Sequence, residues 1–96
     1  MVLEIADFLI REGDEERFAT AYRDAVRHVT GSAGCHGARL VRCVENPRRF
    51  VLLVEWERLE DHTEGFRCSP AFLDWRAALG PYFAKAPRVE HAVDVG

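Results

Sequence analysis

Residues 50–57, Phe50-Val51-Leu52-Leu53-Val54-Glu55-Trp56-Glu57, carry the pattern that decides the fold. An apolar run that follows the turn residues Glu45-Asn46-Pro47-Arg48 predicts a β-strand over residues 50–57. The first five residues of this strand are apolar at odd and even positions alike. A strand with water on one face alternates apolar and polar residues, so this strand is predicted to be covered on both faces.

Two further strands follow from the same kind of pattern. Residues 38–45 lie before the turn and, with residues 50–57, predict a β-hairpin. Val2–Ile10 mixes β-branched and aromatic residues with single polar ones, which is typical of a strand. This strand also has apolar residues on both faces, namely Val2, Phe8 and Ile10 on one and Leu3, Ile5 and Leu9 on the other.

The first helix is predicted between the first strand and the hairpin. Gly13 breaks the strand, and the acidic residues that follow it suit a helix N-terminus. Apolar residues then recur at helical spacing, which predicts a helix from Asp14 to about Thr30. The glycine-rich residues 31–34 end it.

The second helical region lies after the hairpin and is divided by Ser69-Pro70. A short helix is predicted near Leu59–Phe66. A second one is predicted over Pro70–Ala78, because Ser69 can cap it and proline is tolerated in a first helical turn. Pro87 then opens a last strand, Arg88–Val95.

The resulting order, βαββαβ, predicts an α+β fold of the ferredoxin-like plan. In this plan a four-stranded antiparallel sheet carries its helices on one face. Residues 1–96 are predicted to form one domain. Because the helices cover only one face and the strands are apolar on both, the other face needs a partner. A second copy of the sheet is the economical solution, so we expect a homodimer.

Composition narrows the classes of partner and compartment. The chain has 96 residues, of which 30% are charged and 48% hydrophobic, with a net charge of −3. Its basic residues are dispersed, which argues against nucleic acid as a partner, and no apolar run is long enough for a membrane helix. The N-terminal residues lack the basic start of a signal peptide, so a cytoplasmic location is expected.

No complete catalytic or metal-binding motif is present. Cys35-His36 and Cys43 match no zinc spacing, so no metal site is predicted, and Cys35, Cys43 and Cys68 are expected to be buried thiols without a role. The informative stretch is residues 55–75, which holds two Trp, two Phe and one His. Such aromatic density after a strand can line a ligand cavity. From composition alone, the core of a small domain is the favoured alternative for the same residues.

Residues 54–75 also carry a resemblance to a known family. Val54-Glu55-Trp56, His62, Phe66-Arg67-x-Ser69-Pro70-x-Phe72 and the closing strand Pro87-x-Val89-Glu90-His91 are similar to the antibiotic biosynthesis monooxygenases. The resemblance spans about Leu3 to Val95, and it implies a small dimeric α+β barrel. Members of this family, many of them bacterial, include quinone-forming monooxygenases, quinol monooxygenases, haem-degrading enzymes and proteins without known activity.

The resemblance implies a cofactor-independent monooxygenase that oxidises a hydroxylated aromatic or a quinol with dioxygen. A non-catalytic dimeric module that binds a small metabolite, or a pathway accessory protein, is the alternative. Haem degradation is disfavoured because all three positions of that branch depart: Asp7 replaces its Asn, Phe66 or a neighbour replaces its Trp, and Asp74-Trp75-Arg76 replaces its ligand His.

Three residues are candidates for proton transfer. His62 lies within the motif and is the first candidate for a general base, although an exposed helical histidine is an equal alternative. His91 shares its strand parity with Val89 and Val93, which predicts either a core histidine or a catalytic one. Asp7 shares a parity with Leu3, Ile5 and Leu9. There it either faces a pocket or pairs with Arg39, Arg42 or another arginine.

Substrate contacts are expected from the aromatic residues and from one or two arginines. A planar substrate stacks on aromatic rings, and an anionic oxygen pairs with a guanidinium. The candidates for stacking are Trp56, Phe66, Phe72, Trp75 and Tyr82. Arg67 and Arg76 are the candidates for the anionic oxygen, and a solvated surface position is the alternative for each.

Overall fold

The computed structural model describes all 96 residues and has the predicted order of elements. Its strands are β1 (Val2–Leu9), β2 (Cys35–Arg42), β3 (Arg49–Trp56) and β4 (Arg88–Ala92). Its helices are α1 (Glu15–Ala25), α2 (Arg27–Thr30) and α3 (Pro70–Leu79), with a π-helix at Asp61–Phe66 and a 3₁₀ turn at Gly80–Tyr82. The four strands form one antiparallel sheet in the order β2-β3-β1-β4, which confirms the ferredoxin-like fold.

The decisive strand β3 lies inside the sheet between β2 and β1. Its even-numbered residues, Phe50, Leu52, Val54 and Trp56, are buried against the helices. Ala6, Phe8 and Ile10 of the first strand segment join them in one core, and Phe18 and Val29 contribute from the helical side. Burial of these apolar side chains supplies the main stabilising term of the fold.

The odd-numbered residues of β1 and β3 lie on the other side of the sheet, which we call the open face. It is formed by Leu3, Ile5, Asp7, Leu9, Arg49, Val51 and Leu53, and its aliphatic side chains are only partly buried. Apolar side chains of these strands therefore lie on both faces of the sheet, as the sequence indicates.

Several element boundaries differ from the predictions. β2 spans Cys35–Arg42, three residues before the predicted range 38–45, and the short helix predicted near Leu59–Phe66 is the π-helix Asp61–Phe66. The predicted helix Asp14–Thr30 is present as α1 and α2, joined at Val26, which keeps helical dihedral angles with ψ of −22°. The last strand ends at Ala92 rather than Val95, because Ala92 pairs with Leu3 and β1 offers almost no further residue to pair with. None of the helices has the length and apolar character needed to cross a membrane.

Candidate functional site

A cavity of about 710 Å³ lies between the sheet and α3. Ala6, Phe8 and Leu52 of the sheet form its floor, and Phe72, Trp75 and Leu79 of α3 form its wall. A cavity of this size with mainly apolar walls and a few polar groups is the usual form of a small-molecule site. It has room for a planar molecule of several rings.

Glu4 and His62 are the buried polar groups at one end of this cavity, with 6% and 3% of their surface exposed. Trp56 Nε1 donates a hydrogen bond of 2.9 Å to Glu4 Oε1. The same oxygen lies 3.4 Å from His62 Nε2. The Trp56 and His62 rings stack with their centroids 5.3 Å apart, so the indole holds both the carboxylate and the imidazole in place.

His91 extends this group from the neighbouring strand. Its Nε2 lies 2.7 Å from His62 Nδ1, and the two imidazoles share a hydrogen bond. The position of His91 follows from the β1–β4 register, in which Glu4 pairs with His91 and both side chains leave the sheet on the same face. Trp56, Glu4, His62 and His91 therefore form one continuous chain of polar contacts.

Burial shifts the protonation equilibria of this chain. It raises the pKa of Glu4 above 4.5, an effect partly offset by the Trp56 hydrogen bond and by the charge of Arg67. It lowers the pKa of His62 from 6.5 to about 4, with further lowering by Arg67 and His91. The pKa of His91 is also lowered, by burial and by Arg67. His62 is therefore uncharged at neutral pH.

The π-helix Asp61–Phe66 positions His62. A π-helix inserts a residue into a helical turn, and such insertions are frequent at functional sites. Here the Arg67 N–H donates to the His62 carbonyl five residues earlier, at 3.1 Å. The segment starts at Asp61, whose Oδ2 accepts a hydrogen bond from the Arg58 N–H at 3.0 Å.

Gly34 and Ser69 fix the two sides of this segment. Gly34 has a φ of +85°, and a Cβ at this position would lie 2.2 Å from Asp61 Oδ2, so only glycine fits against the Asp61 carboxylate. After the π-helix, the Ser69 hydroxyl accepts from the Phe72 N–H at 3.3 Å and caps α3, with Pro70 in its first turn. The predicted cap is confirmed.

Three cationic side chains line the cavity: Arg67, Arg76 and Lys85. Arg67 lies close enough to the buried group to affect the pKa of Glu4, His62 and His91. The Arg76 guanidinium lies over the Phe72 ring, 5.8 Å from its centroid. Glu4 is the one acidic residue that lines the cavity, so the cavity has an excess of positive charge.

Comparison with known proteins agrees with this architecture. Residues 1–78 match the family described as antibiotic biosynthesis monooxygenase. The chain belongs to the antibiotic biosynthesis monooxygenase family. It is 44% identical over 95 residues to YczJ of Bacillus subtilis (strain 168), a protein without a characterised function, with 99% of this chain and all of that protein covered.

Solved structures of this family share the fold. A protein from Bordetella bronchiseptica assigned to the antibiotic biosynthesis monooxygenases superposes with a TM-score of 0.95 and 37% identity, covering 98% of this chain and 96% of that chain. A point mutant of SnoaB from Streptomyces nogalater superposes with a TM-score of 0.82 and 15% identity, covering 97% and 91%. The second likeness supports the fold alone.

Most of the residues predicted from the sequence meet in the cavity of this monooxygenase-family chain. His62, Phe66, Arg67, Phe72 and Trp75 line it. Trp56 and His91 are not among the residues that line the cavity, but both contact His62. The aromatic-rich residues 55–75 were predicted either to line a cavity or to form the core. Different residues of this stretch do each.

Tyr82 and Asp7 lie outside this group. Tyr82 packs against Phe18, with ring centroids 6.4 Å apart, and is not among the residues that line the cavity. Asp7 is on the open face, since its odd parity points it away from the helices, and it accepts hydrogen bonds of 2.8 to 3.1 Å from Arg49. The alternative of pairing with an arginine therefore holds, with Arg49 in place of Arg39 or Arg42.

Glu4 is the functional candidate that sequence reasoning missed. The signal was available, because Glu4 shares the even parity of Phe8 and Ile10 on β1. A carboxylate on the more strongly buried face needs either a partner or a raised pKa. The strand sequence alone does not show which of its two faces the helices cover, so it does not distinguish Glu4 from Asp7.

Proposed function

We propose that this protein is a monooxygenase that oxidises a hydroxylated aromatic compound or a quinol to a quinone with dioxygen, without a bound cofactor. The observation that carries the proposal is a buried His62 at the end of an apolar cavity, between Glu4 and His91 and near Arg67. An apolar cavity takes a planar ring system, and an uncharged imidazole takes its proton.

His62 is the proposed general base. With its proton on Nδ1 donated to His91 Nε2, the Nε2 atom keeps a lone pair, and its nearest acceptor neighbour, Glu4 Oε1, is 3.4 Å away. The substrate hydroxyl gives its proton to His62 Nε2. Glu4 then faces the imidazolium and stabilises its charge, while His91 holds the ring in its orientation.

Arg67 is proposed to stabilise the substrate anion that this step creates. The positive charge of Arg67 lowers the pKa of His62 in the free protein, and it lowers the pKa of a bound phenol for the same reason. Once the phenolate forms, its negative charge offsets the effect of Arg67 on His62. Arg67 and His62 together therefore favour the state in which the substrate is a phenolate and its proton is on the His62 imidazole.

The anion supplies the electrons for the oxidation. An electron-rich phenolate passes one electron to dioxygen, and the two radicals combine at a ring carbon. For a hydroxylated aromatic, one oxygen atom becomes the new carbonyl of the quinone, and the other leaves as water with the two hydrogens that the substrate loses. A quinol gains no oxygen atom: it loses two hydrogens with their electrons to become the quinone, and dioxygen is reduced to hydrogen peroxide. The overall change balances without an external reductant. The apolar walls keep water away from the reactive anion.

The comparisons with known proteins support the proposed monooxygenase activity. The family carries the name of monooxygenases, and the SnoaB structure is described as a cofactor-independent oxygenase. That description applies to SnoaB, which shares 15% identity with this chain. We propose the same type of reaction for this chain. The apolar cavity and the uncharged His62 are the features of this chain that make the same chemistry suitable.

The direct experiment is oxygen consumption by the purified protein after removal of metals. A panel of anthrones, naphthols and quinols should include compounds that consume oxygen faster than their spontaneous autoxidation, with a quinone as the product. Rates equal to autoxidation for every compound would refute the monooxygenase proposal. Tight binding without turnover would then favour a metabolite-binding module.

We also propose that the protein works as a homodimer joined through the open face. Support comes from the partly buried aliphatic side chains Leu3, Ile5, Leu9, Val51 and Leu53, which one chain leaves without cover. Sedimentation should give twice the mass of 10.9 kDa at micromolar concentration. Leu53→Lys should convert the dimer to monomers, and Val44→Lys, at an exposed loop position, should not. A stable wild-type monomer would contradict the proposal.

The proposed location is the cytoplasm. All three cysteines, Cys35, Cys43 and Cys68, are free thiols, and none is buried as expected: Cys35 and Cys43 are partly exposed, and Cys68 is exposed. A reducing compartment maintains thiols in this state. Recovery of the native protein from the cytoplasmic fraction of its source cells would test this location, and recovery from a secreted fraction would contradict it.

A further inference from the structure

The cations of the cavity form an unusual group within this chain. Five cationic side chains have neither an ion pair nor a hydrogen-bond partner: Arg23, Arg39, Arg67, Arg76 and Lys85. Three of these five line one cavity, in a chain whose net charge is −3. Charges without a partner at a ligand site are available to bind an anion.

Arg67 and Lys85 lie at different ends of the cavity. Arg67 lies at the end that holds Glu4 and His62. Lys85 lies at the other end, because the neighbouring Ala84 N–H donates to the Leu9 carbonyl at the far end of β1. Four residues of strand separate Glu4 from Phe8, which corresponds to roughly 13 Å.

Arg76 contributes from α3. It follows the wall residue Trp75, and it is one turn beyond Phe72, over whose ring its guanidinium lies. Lys85 is near enough to lower the pKa of Asp7, yet the structure records no ion pair between them, and both Asp7 oxygens accept hydrogen bonds from Arg49. Lys85 therefore has no ion-pair partner in this structure, and it lines the cavity.

Between the two charged ends the cavity is apolar. Ala6, Phe8, Leu52 and Val89 from the sheet and Phe72 from α3 line this middle part. Burial against these side chains contributes favourable binding free energy for an apolar part of a ligand. A polar group of the ligand at this position would lose its hydration without gaining a hydrogen-bond partner. A ligand that fits has an aromatic centre and polar groups at its two ends.

We propose that Arg76 and Lys85 form a subsite for an anionic group, such as a carboxylate, carried by the aromatic substrate at the end opposite its reactive hydroxyl. This inference rests on the proposed function for the placement of the hydroxyl beside His62. The anionic group holds the long axis of the substrate along the cavity. Orientation of this kind converts binding energy into a productive geometry at the reacting end.

The test is equilibrium binding by calorimetry, which requires no turnover. The probes are 6-hydroxy-2-naphthoate, with its carboxylate far from the hydroxyl, 3-hydroxy-2-naphthoate, with the two groups adjacent, and 2-naphthol, without a carboxylate. The 6-hydroxy isomer should bind about 10-fold more tightly than either of the others, as expected for a charge that meets two partly screened cations.

Variants assign the preference to the subsite. The double variant Arg76→Met/Lys85→Met should reduce the preference for 6-hydroxy-2-naphthoate over 2-naphthol to about twofold or less. Arg23→Met is the matched control, because Arg23 is an exposed and unpaired arginine on α1 away from the cavity. It should leave the preference unchanged. Circular dichroism of each variant verifies that the fold is retained.

The failure of this inference differs from the failure of the proposed function. Equal affinities for the three probes, or a preference that survives the double variant, would overturn the anionic subsite even if oxygen is consumed. A preference for the 6-hydroxy isomer that depends on Arg76 and Lys85 would support the subsite even if no compound is oxidised.

Discussion

Two carboxylates of β1, three positions apart, lie in opposite environments. Glu4 is 6% exposed on the cavity face, where burial raises its pKa. Asp7 lies on the open face, where the Arg49 guanidinium lowers its pKa. A buried carboxylate with a raised pKa is available for proton chemistry, whereas one neutralised by an arginine stabilises structure. Sheet parity alone decides which residue has which role.

The largest expected effect comes from removing the base on the cavity face. His62→Ala should lower the turnover of an oxidised substrate by roughly 100-fold or more, because the substrate proton then loses the imidazole that is positioned to accept it. Asp7→Asn, on the open face, should keep the rate within about twofold. Oxygen-electrode measurements on both variants compare the two faces directly. Equal rates for His62→Ala and the wild type would remove His62 from the mechanism.

A smaller effect is expected from the Glu4 side chain, which acts through His62. Glu4→Gln keeps an acceptor for the Trp56 N–H but removes the negative charge beside the imidazolium. The turnover should fall on the order of 10-fold. A structural role alone would leave the pH dependence of the rate unchanged, whereas a positioning role moves its acidic limb. An unchanged profile with a normal rate would contradict the role given to Glu4.

Arg67 provides a test with a predictable sign. The rate rises with pH as the base loses its proton, so kcat/KM should reach half of its plateau near the His62 pKa of about 4. Arg67→Gln removes a positive charge that lowers this pKa, so the acidic limb should move to higher pH. A pH–rate profile of the variant measures this shift. A shift to lower pH would be inconsistent with the proposed arrangement.

The two carboxylates should also have opposite effects on stability. The raised pKa of Glu4 means that its contribution is present below pH 4.5 and is lost as the pH rises through the folded-state value. The lowered pKa of Asp7 means that its contribution is present above pH 3.8 and is lost as the pH falls. Relative to the wild type, Glu4→Gln should therefore gain stability from acidic to neutral pH, and Asp7→Asn should lose it. Urea unfolding at several pH values distinguishes these signs.

The sequence predicts the strands well because their physics is local. Apolar residues at both parities of residues 50–54, and the turn before them, are sufficient for an inner strand of a hairpin. The βαββαβ order then leaves few topologies. The predicted aromatic candidates were largely correct in place, since residues 55–75 run from the sheet into the cavity wall.

The group around His62 could not be predicted as completely. Contact between His62 and His91 depends on the β1–β4 register and on the π-helix, and neither has a clear sequence pattern. The role of Glu4 depends on which sheet face the helices cover. Arg76 and Lys85 line the same cavity only after α3 and the segment before β4 have packed on the sheet.

The most direct test of the account is the titration of His62 in the protein without ligand. Nuclear magnetic resonance of the imidazole signals, with the His62 signal assigned through His62→Ala, follows its charge as the pH falls. We expect His62 to stay uncharged until the pH falls to about 4, because the imidazole is buried and lies near Arg67 and His91. Titration near the ordinary value of 6.5 would show a hydrated imidazole and contradict the proposed site.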